Sequence, residues 1–176
     1  MHRRRSTAWL LVAAGAALAA CQQAETPEQA AARMTAETDA ARPAIEARTA
    51  AYARHYNAAQ TDTLVALHTA DAHVMPPNSP AVHGSEGIRA FFVAGFQQGP
   101  GGQLALRGEN LAVNGPMALE RGRWNFTPAT GTPIPADSGK YFTHYHMTGD
   151  QWLIAEVIWN SDVPLPTPTA PPARRR

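Results

Sequence analysis

A single cysteine, Cys21, is all that 176 residues contain, so no disulfide can form within the chain and a bridge-stapled fold is excluded. Charge of one sign is also scarce. The formal balance is +1 with histidine neutral, and six of the arginines behind it sit at the two ends, Arg3 to Arg5 and Arg174 to Arg176, without which the balance is negative. The composition therefore offers no basic surface for nucleic acid. The apolar run over 8–20 is too short to cross a bilayer as a helix. Several chemical signatures are missing as well. No Gly-x-Ser-x-Gly elbow surrounds Ser79, Ser85, Ser138 or Ser161, and no His-Glu-x-x-His is present. The Gly-rich stretch over 99–102 follows a helical pattern instead of preceding one, the wrong order for a phosphate site. No cofactor and no metal is expected.

The start of the chain has the form of an export signal: a basic Met1-His-Arg-Arg-Arg, an apolar stretch, then small residues. Leu18-Ala19-Ala20-Cys21 resembles the lipobox of bacterial lipoproteins, in which the cysteine is lipidated and begins the mature chain. That resemblance implies a signal over 1–20, a lipid anchor on Cys21 as the only membrane contact, and residence in the cell envelope. Gln22 after the cysteine implies the periplasmic face of the outer membrane. Residues 21–41 read as a tether, 42–163 as the folded domain, and 164–176 as a proline-rich extended tail.

Within the domain the stretch over 57–92 organises the rest. A helix is predicted over 42–59, with Pro43 in its first turn and Ile45, Thr49, Tyr52, Tyr56 on one face. A short helix follows over 62–68, then a strand over 72–75 that Pro76 and Pro77 stop. Ser85 is the predicted cap of a third helix, whose Ile88, Phe91, Phe92 and Phe96 share a face. From Gln103 the period changes to 2, and its parity slips at Gly108, as at a β-bulge. Asn114-Gly115 signals a hairpin. Further strands are predicted over 117–126, 138–147 and 151–159. The last two alternate poorly. Tyr141, Thr143, Tyr145 and Met147 oppose Phe142, His144 and His146, while Leu153, Ala155, Val157 and Trp159 oppose Trp152, Ile154 and Ile158. A sheet apolar on both sides needs covering on both, by the helices and by a second copy of the chain. The class is α+β, with a curved mixed or antiparallel sheet wrapped on three N-terminal helices in the order α-α-β-α-β-β-β-β.

Asn57-Ala-Ala-Gln, Asp71-Ala72, Met75-Pro76-Pro77, Gly84 with Ile88 and Phe91, Glu120-Arg-Gly122, Gly139-Lys140-Tyr141 and Trp152 through Asp162 together resemble the nuclear transport factor 2-like superfamily. The branch is that of SnoaL-like proteins and domain of unknown function 4440. The resemblance implies a cystatin-like cone with a pocket and dimerisation through the sheet. Ketosteroid isomerase, within the same superfamily, needs a carboxylate base, a tyrosine and a protonated acid. Tyr52 falls at the tyrosine position, but Pro76 stands where the base belongs and Thr143 where the second acid belongs.

Glu120 is the remaining candidate acid, sharing its strand face with Ala118, Gly122 and Trp124. Among Tyr52, Tyr145, Trp159 and Phe92 its carboxyl would be desolvated and its pKa raised; the other reading is a structural pair with Arg121, Arg123 or a helix residue. Tyr52, Tyr56, Val74, Phe92, Glu120, Trp124, Thr143, Tyr145 and Trp159 are the expected lining of the pocket, or alternatively its filling. Tyr52 and Glu120 are the catalytic candidates. His144 and His146 share a strand face, where zinc would need a third ligand such as Glu156 or His73; a place at the dimer interface is the preferred reading. Three functions stay open: a binding module for a small apolar or aromatic molecule, an isomerase- or hydrolase-like enzyme using Glu120 with Tyr52 or Tyr145, and a dimeric envelope interaction module without a ligand.

Overall fold

The computed structural model describes residues 24–98 and 101–164. The signal expected over 1–20, Cys21, part of the Gly-rich loop and nearly all of the tail over 164–176 lie outside the described residues.

The chain forms α1 (Pro27–Asn57), α2 (Thr61–Ala66), β1 (His68–Met75), β2 (Val82–His83), α3 (Gly84–Gln98), β3 (Gly102–Asn114), β4 (Met117–Pro128), β5 (Asp137–Thr148) and β6 (Gln151–Ser161). The six strands make one curved, unclosed mixed sheet in the order β2-β1-β6-β5-β4-β3. Only β1 and β6 run parallel. The core lies between the helices and the concave side of this sheet, where Ile45, Leu64, Val74, Ile88 and Phe92 are buried.

Helix α1 differs most from expectation. It starts fifteen residues before position 42 and passes through Pro43. Its start is a capping box. The Thr26 hydroxyl accepts from the Gln29 amide at 3.2 Å, and the Gln29 side chain accepts from the Thr26 amide at 2.9 Å. Pro43 removes one backbone donor from the helix interior. The half before Pro43 is held by the β3–β4 hairpin. Thr38 Oγ1 donates to the Met34 carbonyl (2.7 Å) and accepts from the Val113 amide (2.9 Å), while Glu37 accepts from the Gly115 amide (2.9 Å). Farther along, Asn57 exchanges two hydrogen bonds with the Leu104 backbone, at 2.7 and 3.0 Å.

Smaller differences are local. Strand β1 begins at His68 instead of 72, because an irregularity between His68 and His73 breaks the alternation. The two-residue β2 pairs antiparallel with β1 and is too short to show a period. Helix α3 starts at Gly84, which has φ +67°, so Ser85 lies within the first turn and not before it. The bulge at Gly108 is present: Gly108 faces Gly122 and the next pair is Asn110 with Arg121. A second bulge was not expected. His144 faces Glu156 but Tyr145 faces Ile154, leaving Ala155 unpaired. That extra residue reverses the side-chain alternation of β6. Trp152, Ile154, Val157 and Trp159 therefore share the concave side, and the opposition drawn between them from the sequence does not hold. The convex side keeps Met117, Leu119, Phe142 and Ile158 exposed.

Candidate functional site

Alternation along β4 and β5 brings Glu120, Tyr141, Thr143 and Tyr145 to the concave side, where α1 places Thr49 opposite them. Glu120 is 3% exposed. Its Oε2 accepts from Thr49 Oγ1 at 2.9 Å, from the Tyr145 hydroxyl at 3.1 Å and from the Tyr141 hydroxyl at 3.2 Å. Thr49 and Tyr145 are also 3.0 Å apart, oxygen to oxygen. Two glycines make room for this cluster. At Gly122 a Cβ would meet the Tyr141 ring and the Arg107 carbonyl at 2.4 Å, and at Gly108 it would meet Glu120 Oε1 at 2.4 Å.

Burial raises the pKa of Glu120, and the hydrogen bonds from Thr49, Tyr145 and Tyr141 oppose that rise. The same burial, and then the Glu120 charge, pushes both phenols up. The phenols thus stay neutral donors across the ordinary pH range. Tyr52 and Tyr56 are pushed up by burial as well.

The rings of the phenols form part of a cavity of about 220 Å³. An apolar cavity of roughly 150 Å³ already takes benzene, so this one is large enough for a somewhat bigger ring compound. Of the expected lining, Tyr52, Tyr56, Phe92, Trp124, Thr143, Tyr145 and Trp159 are in place. Two residues are not. Val74 is fully buried in the core and does not reach the cavity. Glu120 stands behind the phenols and faces a second cavity of about 290 Å³, with Arg42, Glu46, Gly108 and Glu109 in its wall. Sequence reasoning missed Thr49, Phe96, Leu106, Phe126, Tyr141 and Val157 in the first cavity. Tyr141 carried a usable signal, since it shares parity with Tyr145; Val157 was hidden by the Ala155 bulge.

His144 and His146 do not meet the pocket. His144 lies on the convex side, 3.4 Å from Glu156, and His146 is exposed. Among the described residues no group of three or more His, Cys, Asp or Glu gathers as metal ligands would.

A family model described as the SnoaL-like domain matches residues 49–156, more than half of the chain. The chain belongs to the SnoaL-like family. Solved structures agree on its nuclear transport factor 2-like, cystatin-like fold. This SnoaL-like chain is similar to a ketosteroid isomerase-like protein from Erwinia carotovora atroseptica SCRI1043, with TM-score 0.60 and 18% identity over 69% of this chain and 96% of that one. It is also similar to an NTF2-like protein with a cystatin-like fold from Novosphingobium aromaticivorans, with TM-score 0.61 and 14% identity over 77% and 90%. A candidate scytalone dehydratase from Novosphingobium aromaticivorans DSM 12444 gives TM-score 0.63 and 17% identity over 74% and 89%. At such identities the likeness is one of fold. Comparison with curated proteins gives no match.

Proposed function

We propose that this SnoaL-like domain binds a small, neutral aromatic or alicyclic molecule in the 220 Å³ cavity. One observation carries the reading. No lining residue is charged, and the lining hydroxyls of Thr49, Tyr141 and Tyr145 gather at the end that Glu120 backs. Such a pocket favours an apolar body with one polar group and disfavours ions. The position of Glu120 supports binding over direct proton abstraction, because its carboxyl is separated from the cavity by the phenols it holds. Trp124 and Trp159 line the cavity and give a readout. Titrating 5-indanol should change tryptophan emission saturably, and Tyr141→Phe should weaken binding about fivefold, the worth of one neutral hydrogen bond. No saturable change up to millimolar ligand, with the folded protein intact, overturns the proposal.

The same proposal places the domain at a membrane surface, tethered through Cys21 only six residues before α1, and paired with a second copy through the convex side. Exposed Met117, Leu119, Phe142 and Ile158 support the pairing. Cys21→Ser should leave the membrane fraction and sediment as a pair. Adding Phe142→Asp should give single chains. A membrane-bound Cys21→Ser protein would remove the anchor, and sedimentation of Cys21→Ser as single chains would remove the pair.

A further inference from the structure

We propose that ligand binding in the aromatic pocket is coupled to the protonation of Glu120, and that this coupling sorts ligands by hydrogen-bonding class. Ketones and other acceptors bind with uptake of a proton, whereas phenols and alcohols bind without it. This inference rests on the binding reading above.

The argument is one of counting donors. With Glu120 ionised, three hydroxyls (Thr49, Tyr141 and Tyr145) donate to the single oxygen Oε2. Each phenol has one O–H, so both are spent inside the protein and offer only lone pairs to the cavity. That arrangement matches a ligand that brings its own O–H. A carbonyl ligand meets acceptors there and is left unpaired in an apolar site, which is unfavourable. With Glu120 protonated the count changes. If the proton is on Oε2, the carboxyl donates to one phenol oxygen; if it is on Oε1, three donors compete for the two lone pairs of a neutral carbonyl oxygen. In either case one of the three hydroxyls gives up its place on Glu120, and where a carbonyl waits in the cavity the one released is a phenolic O–H that turns to meet it, Thr49 standing at the closed end. The balance is carboxylate plus proton plus ligand giving the carboxylic acid complex, with no covalent step.

The proton has its own way in. Oε1 accepts no hydrogen bond from the protein among the described residues, and of the two cavities Glu120 lines the second, whose wall has no aromatic ring, and not the first. Gly108 keeps that approach open, since a side chain there would collide with Oε1. Water in the second cavity therefore reaches the carboxyl while the first is occupied. The charged groups facing Glu120 are Arg42 and Glu46 from α1 and Glu109 from β3. Arg42 lies 3.7 Å from Asp39, and Glu109 is held by Arg123 at 3.2 Å and Arg121 at 3.6 Å. Glu46 opposes ionisation of Glu120. From β5 the titratable groups that face it are the neutral phenols Tyr141 and Tyr145, on either side of Thr143.

Calorimetric titration of the full chain in two buffers of different ionisation enthalpy counts the protons. The probes are 1-indanone, an acceptor, and 5-indanol, a donor of nearly the same shape. Above the Glu120 transition, 1-indanone should take up close to one proton and 5-indanol close to none. In Glu120→Gln the 1-indanone count should fall to zero. The wild-type chain gives an independent readout: above that transition 1-indanone affinity should fall about tenfold per pH unit while 5-indanol affinity stays flat up to its own ionisation. Equal proton counts for the two bound probes, or uptake that survives in Glu120→Gln, overturn the coupling and leave the pocket intact. Binding of neither probe overturns the pocket and the coupling together.

Discussion

Glu120→Ala is expected to lower the unfolding free energy by about 3–5 kcal/mol at neutral pH, while Glu120→Gln changes it by less than about 1 kcal/mol. Alanine removes the acceptor that Thr49, Tyr141 and Tyr145 share and leaves three hydroxyls without it at a site that is 97% buried. Glutamine keeps a carbonyl oxygen where Oε2 stands and puts its amide toward Gly108 and the second cavity. The pH dependence sharpens the contrast. The folded-state pKa of Glu120 lies above that of the unfolded chain. Its contribution is therefore fully present below the unfolded carboxyl value and is lost as pH rises through the folded one. Glutamine, which cannot ionise, should gain on the wild type as pH rises. Urea denaturation at pH 5 and pH 8 measures all three proteins. Equal stability of the alanine and glutamine variants would show that the hydroxyl cluster contributes little.

Acidification from pH 6.5 to 4 should cost the fold about 3 kcal/mol through His68 alone, and His68→Phe should abolish that loss. His68 is 5% exposed and its ring packs in a triangle with those of Tyr52 and Phe92, with centroids 6.1 and 6.2 Å away. Burial holds its pKa down to about 4, against the opposing pull of the Leu64 carbonyl. The unfolded chain thus binds a proton near pH 6.5 that the folded chain refuses until about pH 4. Stability is present above the unfolded value and disappears across that window. His68 Nδ1 is 2.8 Å from the Leu64 carbonyl, and Nε2 has no partner. The Leu64 carbonyl also accepts from the Leu67 amide at 3.1 Å, so phenylalanine leaves no orphaned acceptor. Unfolding free energies measured between pH 4 and 7 decide the matter. An unchanged acid slope in His68→Phe would place the proton elsewhere.

These two residues show what a sequence discloses and what it hides. The face of Glu120 was legible, because alternation along a strand fixes the side on which a residue stands. Its depth was not: two cavities adjoin on that side, and no local pattern says which one a carboxyl enters. Gly108, Asn114-Gly115 and the Ile88, Phe91, Phe92, Phe96 stripe disclosed their roles because glycine and helical spacing leave strong local marks. Ala155 left none. A bulge at an alanine needs no special backbone residue, and missing it misassigned Val157 and Trp159 relative to Ile154. The early start of α1 was hidden for a different reason. Between Pro27 and Pro43 only Thr38 is buried, so the helix carries no apolar stripe there, and its evidence was confined to the Thr26–Gln29 box. His68 closes the helix expected over 62–68, whereas in the fold it opens β1 with its ring buried, and no local pattern marks that change.

The hydrogen bonds from α1 to β3 have a consequence for how these molecules can accumulate. β3 is one border of the sheet, and side chains of Thr38 and Asn57 occupy backbone groups that an incoming strand would otherwise take. At the other border stands β2, only two residues long. Both borders are thus poor templates for a stranger's strand, one occupied near both its ends and the other too short. Even at high local concentration, fibre growth through the two borders of the sheet is then disfavoured.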